Sequence, residues 1–153
     1  LESSGSRWCL AGMSMGAGVA LRLAAQANCV DGAMGLGAGD LAEALAGKLR
    51  QRGLPPGMLV TPLCWWLERR RRLPGPLQEI TPTCPVGLVH GEQDEVAPIR
   101  SVQHLAAEKN WSFVSLPDAG HDLLGPKHAG SVVRLMQDFA DRYDSAHDDQ
   151  NRT

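Results

Sequence analysis

Nothing in these 153 residues approaches the run of about 18–20 uninterrupted apolar residues that a membrane-spanning helix needs. A basic excess is missing too: 15 Lys and Arg stand against 17 Asp and Glu, a formal net charge of −2. That balance removes the electrostatic footprint of a nucleic-acid binder. Cys9, Cys29, Cys64 and Cys84 are scattered, without C-x-x-C spacing. They read as reduced structural thiols, two of them in segments expected to be core, rather than as a disulfide framework or a metal site. Such thiols favour a cytoplasmic setting. What remains is a chain of single-domain length whose 43% hydrophobic content is enough to bury a core.

What the sequence does have is Gly12-Met13-Ser14-Met15-Gly16, a G-x-S-x-G pentapeptide. The apolar Trp8-Cys9-Leu10-Ala11 before it reads as a strand. The helix formers from Ala17 to Ala27 after it read as a helix, so Ser14 falls on the turn between them. Such a turn strains the serine backbone and brings strand and helix close, which Gly12 and Gly16 are small enough to allow. In a chain with 17 glycines the pentapeptide alone is weak. Two later segments strengthen it. Val86 to Val89 is a buried-type strand running into His90-Gly91-Glu92-Gln93-Asp94, and Trp111 to Leu116 is another, followed by Pro117-Asp118-Ala119-Gly120-His121. A hydroxyl, a carboxylate and an imidazole thus each follow the carboxyl end of a strand, where open parallel sheets gather their chemistry.

With those residues in view, the chain resembles the α/β-hydrolase family, whose triad runs Ser, Asp, His along the sequence. The resemblance covers roughly residues 7–143 and rests on the pentapeptide, the His-Gly-x-x-Asp loop and Gly120-His121. It implies Ser14 as nucleophile, His121 as general base and then acid, and Asp94 as the group that orients His121. It also implies the Met15 N–H as an oxyanion donor and no metal or organic cofactor. Glu92 and Glu95 flank Asp94 as rival carboxylates, and His-Gly-x-x-Asp favours Asp94. Among five histidines, His90 reads as closing a strand end, His104 as lying on a helix face, His128 as starting the last helix and His147 as tail.

The resemblance sets the expected fold: α/β, a four-stranded mostly parallel sheet flanked by helices, equivalent to the second half of an α/β-hydrolase. Besides the strands above, Val30 to Ala38 is expected as a strand whose glycines admit a close backbone or a ligand. Helices are expected from Met15 to about Ala27, with Val19, Ala20 and Leu23 on one face and the small Gly16, Ala17 and Ala24 permitting close packing on a sheet, and from Pro98 to about Lys109. A closing helix starts near Lys127 or His128 and carries Val132, Leu135, Met136, Phe139 and Tyr143. Domain 1–143 is followed by a polar tail, 144–153, expected to be disordered. Family members place several strands and a Gly-rich oxyanion loop before the elbow, and no His-Gly-Gly-Gly-like segment occurs here. The amino-terminal part of the fold is therefore expected to be missing, leaving a sheet edge open to association.

Residues 40–80 have the place of a cap-like insertion. Leu41 to Arg52 looks helical, and Leu63, Trp65 and Trp66 either line an acyl pocket or pack on the core with Arg69 to Arg72 in water. Attachment of this segment to a membrane surface is disfavoured, because Pro62 cuts the amphipathic stretch short. The expected activity is hydrolysis of a small carboxylic ester or thioester through an acyl-enzyme. The alternative is a non-catalytic fragment or binding module without a complete oxyanion hole.

Overall fold

The computed structural model describes residues 8–40 and 76–150, with isolated positions between them. In chain order the elements are β1 (Cys9–Met13), α1 (Met15–Gln26), β2 (Gly32–Leu36), β3 (Val86–Gly91), α2 (Ile99–Lys109), β4 (Ser112–Leu116) and α3 (Ala129–Gln150). The strands form one sheet in the order β1-β2-β3-β4, every pair parallel. This is the four-stranded parallel sheet the sequence pattern implies. Each strand's carboxyl end lies beside its neighbour's, with Met13 opposite Leu36 and Gly91 opposite Leu116. All loops leaving those ends therefore open on one side of the sheet.

Side chains alternate across the strands and feed two cores. On one face Ala17, Leu21 and Ala24 of α1 and Val102, Leu105 and Ala106 of α2 pack with Ala33, Val86 and Leu88. On the other face Met34, Leu36 and Val89 meet Leu123 and the α3 residues Val132 and Phe139. The glycines of the central strands serve this second core: a Cβ on Gly32 or Gly87 would come within 3.0 Å of the Phe139 ring. Instead of the backbone or ligand expected at the Gly-rich β2, an aromatic side chain of α3 makes the close approach at Gly32.

α1 turns a different face inward than its larger apolar residues suggest. Its buried positions are Ala17, Gly18, Ala20, Leu21 and Ala24. Val19 and Leu23 are 44% and 50% exposed, so of the three residues expected on one face only Ala20 is buried. The cause is proximity. Gly12 lets the helix lie so close to β1 that mostly small side chains fit beneath it, and Val19 and Leu23 point away. Gly16 plays no part in this, since a Cβ there would meet nothing within 4 Å among the described residues.

Helix ends follow local chemistry. Pro98 sits one residue before α2, and Asn110, in the left-handed region at φ 54°, ends it with Lys109 in the last turn. α3 continues past Tyr143 to Gln150, into the polar stretch expected to be disordered. Once a helix is nucleated on the core, each added polar residue costs little. Cys9 and Cys29 are exposed and Cys84 is partly buried against the core, so none of these three is a fully buried core thiol. Burial pushes the Cys84 thiol above its ordinary pKa, an effect its own backbone hydrogen bond only partly opposes. That keeps it protonated and chemically quiet. Cys64, Leu63, Trp65 and Trp66, with most of the cap-like segment, lie outside the described residues. No helix among the described residues is long and apolar enough to cross a membrane.

Candidate active site

Ser14 occupies the single residue between β1 and α1. Its backbone is at φ 55° and ψ −122°, a region that L-residues with side chains avoid. Two hydrogen bonds hold it there. The Ser14 N–H donates to Leu36 O at 2.8 Å, extending the β1–β2 ladder one residue, and Ser14 O accepts from the Ala17 N–H at 3.0 Å, opening the helix. The chain folds back so sharply that a Cβ on Gly12 would penetrate the carbonyl of Gly16 and lie 2.8 Å from Ala17 N. A sharp reversal of this kind pushes the serine hydroxyl out beyond the sheet.

The turn after β3 supplies the carboxylate. Asp94 Oδ1 accepts the N–H groups of Val96 at 2.8 Å and Ala97 at 2.9 Å. Its side chain is wholly buried. Glu92 and Glu95 are both exposed, and Glu92 accepts a hydrogen bond from the Ser115 hydroxyl at 2.8 Å. Of the three acids in this loop, only Asp94 turns inward. The turn after β4 supplies the imidazole. Gln93 N–H donates to Ala119 O at 2.9 Å, and a Cβ on Gly91 would strike the carbonyls of Ala119 and Gly120, so the two loops lie backbone against backbone. Ala119 and Leu123, both fully buried, anchor the second loop on either side of His121.

These placements bring the three side chains together. His121 Nδ1–H donates to Asp94 Oδ2 at 2.8 Å, and the Ser14 hydroxyl donates to His121 Nε2 at 2.8 Å. The carboxylate selects the tautomer that leaves Nε2 free to accept a proton. An imidazole so held can take the hydroxyl proton as the oxygen attacks an electrophile and give it back to a leaving group. At 25% side-chain exposure the ring is reachable from solvent. Met15 begins α1, and N–H groups of a first helical turn have no intrahelical acceptor. Two other histidines stand apart: His104 is on an exposed face of α2 with its side chain 3.8 Å from Glu108, and His128 precedes α3. Among the described residues no cluster of three or more His, Cys, Asp and Glu could hold a metal ion.

Two contributors were not singled out in the sequence. Gly37, at φ +54°, packs on His121, and a Cβ there would lie 3.4 Å from its carbonyl oxygen and 3.6 Å from Nδ1. Its sequence signal was only a glycine just beyond β2. Alanine fits this space, but a branched side chain does not. Gly37→Val is expected to move the ring and slow modification of Ser14 by a fluorophosphonate on the order of 100-fold. The left-handed backbone adds about 1–2 kcal/mol of destabilisation, measurable by urea unfolding. His90 is the other. It is fully buried beside Asp94 rather than simply ending its strand.

No family model matches the sequence. No curated protein matches it either. Solved structures do share its fold. An esterase of Pyrococcus furiosus superposes with a TM-score of 0.68 at 18% identity over 90% of this chain and 54% of its own. The esterase domain of a Rhodothermus marinus protein gives 0.64 at 22% identity, covering 88% of this chain and 60% of its own. A monoacylglycerol lipase of Paleococcus ferrophilus gives 0.58 at 17% identity over 91% and 70%. The chain therefore spans a little over half the length of the first of these.

Proposed function

We propose that this chain, which has the α/β-hydrolase fold, is the catalytic portion of a serine hydrolase that cleaves carboxylic esters or thioesters. The observation that carries the reading is the unbroken relay Ser14–His121–Asp94, with both links at 2.8 Å. In the first half-reaction Ser14 Oγ bonds to the acyl carbon while its proton passes to His121 Nε2. The carbonyl π pair moves onto oxygen, facing the N–H of Met15 as oxyanion donor. Collapse breaks the bond to the alcohol or thiol, which leaves with the proton from His121. Water then repeats the sequence on the acyl-serine, releasing the acid and restoring the hydroxyl. Asp94 keeps its charge throughout and steadies the imidazolium.

The fold supports this reading through placement: three strand ends on one side of the sheet bring the three groups together. A fluorophosphonate probe is expected to label the protein at Ser14 and to leave Ser14→Ala unlabelled. Equal labelling of both proteins would remove the nucleophile and the reading with it. Because the chain spans 54% of the Pyrococcus esterase, turnover is a separate matter from labelling. Labelling at Ser14 without release of p-nitrophenol from a short ester would support the second reading, a module with an assembled triad and an incomplete oxyanion hole.

A further inference from the structure

A fully buried imidazole requires an account of both ring nitrogens. His90 lies in β3, whose residues are all buried, and its own side chain has no exposure. Its Nε2 is 2.8 Å from Ala97 O and 3.3 Å from Asp94 Oδ2. Both neighbours are pure acceptors, so the hydrogen must be on Nε2; the other tautomer would point a lone pair at two oxygens. Nδ1 is then a buried acceptor, and no hydrogen-bond partner among the described residues meets it. Leaving that atom unsatisfied is a cost that a leucine or methionine would avoid. A residue kept for packing alone would not incur it.

The other end of the ring shows what the imidazole provides. Ala97 donates its N–H to Asp94 Oδ1 and accepts from His90 Nε2, so Asp94, Ala97 and His90 close a ring of contacts around one carboxylate. Oδ1 is fixed by two backbone N–H groups, and Oδ2 lies between His121 Nδ1 at 2.8 Å and His90 Nε2 at 3.3 Å. With positive edges against both oxygens, the carboxylate plane cannot turn without losing a donor. Ala97 O, in a residue 2% exposed, is paired by the imidazole. We propose that His90 is a positioning residue: its Nε2–H clamps the Ala97 carbonyl and the Asp94 carboxylate so that Oδ2 stays aimed at His121. This rests on the reading of Ser14, His121 and Asp94 as the catalytic relay.

The test compares His90→Met, similar in volume without a donor, with His90→Gln, whose amide N–H can reach the same oxygens. His90→Met is expected to slow fluorophosphonate labelling of Ser14 by about 10- to 100-fold. In it the His121 Nδ1 proton that Asp94 Oδ2 accepts, read by nitrogen-edited NMR, should broaden or vanish. For p-nitrophenyl acetate the loss should fall on kcat rather than KM. His90→Gln should recover both the proton signal and most of the labelling rate. The proposal is overturned if His90→Met keeps wild-type labelling and an unchanged His121 signal. It is also overturned if NMR of the wild-type protein finds the His90 proton on Nδ1, a measurement that stands even if His90→Met does not fold. A wild-type protein that the probe does not label would defeat the hydrolase reading alone, since the two NMR signals still judge the clamp.

Discussion

Replacing His121 by alanine is expected to lower kcat for a short p-nitrophenyl ester by about 10⁶-fold, with the fold intact by circular dichroism. The size follows from losing base and acid together, because the proton acceptor on the Ser14 hydroxyl is His121 Nε2. Asp94→Asn should cost less, on the order of 10⁴-fold, and the surroundings of Asp94 say how. The N–H groups of Val96 and Ala97 require an acceptor, so the amide oxygen takes the place of Oδ1. The NH₂ group then faces His121 Nδ1 and forces the ring to carry its proton on Nε2, where it cannot accept from serine. It also faces the Nε2–H of His90, adding a repulsion between donors. Rates within tenfold of wild type in either variant would remove His121 or Asp94 from the relay.

Gly12→Ala is expected to destabilise the protein by about 3–5 kcal/mol. Its Cβ would penetrate the Gly16 carbonyl, which is backbone within a helix and has no rotamer to yield. For a domain of this length that corresponds to a midpoint about 10 °C lower in thermal unfolding. Gly16→Ala is the matched control. Both residues belong to the same pentapeptide, yet a methyl group on Gly16 meets nothing within 4 Å among the described residues. Alanine also relieves the helix of a glycine, so a gain of up to about 1 kcal/mol is expected. If the two substitutions lowered the midpoint equally, the close approach of β1 and α1 would be disproved.

Much of this site was legible because its chemistry lies where sequence patterns are strongest, at the ends of short apolar strands. Ser14, Asp94 and His121 each follow such a strand, and the structure brings all three within hydrogen-bond reach. The parallel sense of the four strands was legible in the alternation of helices and buried-type strands, and their side-by-side order came from the family resemblance. Periodicity failed where packing depends on distance rather than hydropathy. Val19 and Leu23 are more apolar than Ala17 and Ala24, yet the close approach of strand and helix selects the small residues for the interior. It failed also where the relevant partner is remote: nothing near Gly32 or Gly87 in sequence announces Phe139. His90 was passed over because a strand-end histidine is ordinary; its significance arises from a loop that folds back to place Ala97 O beside it.

The bond between Ser14 and His121 joins residues 107 positions apart, and between them run every strand of the sheet after β1 and the three crossovers onto β2, β3 and β4. Reactivity of one hydroxyl therefore reports on the cooperative integrity of the whole scaffold. In a denaturant titration, loss of probe uptake should coincide with the global unfolding transition, so that a single covalent tag serves to count native molecules in a mixed population.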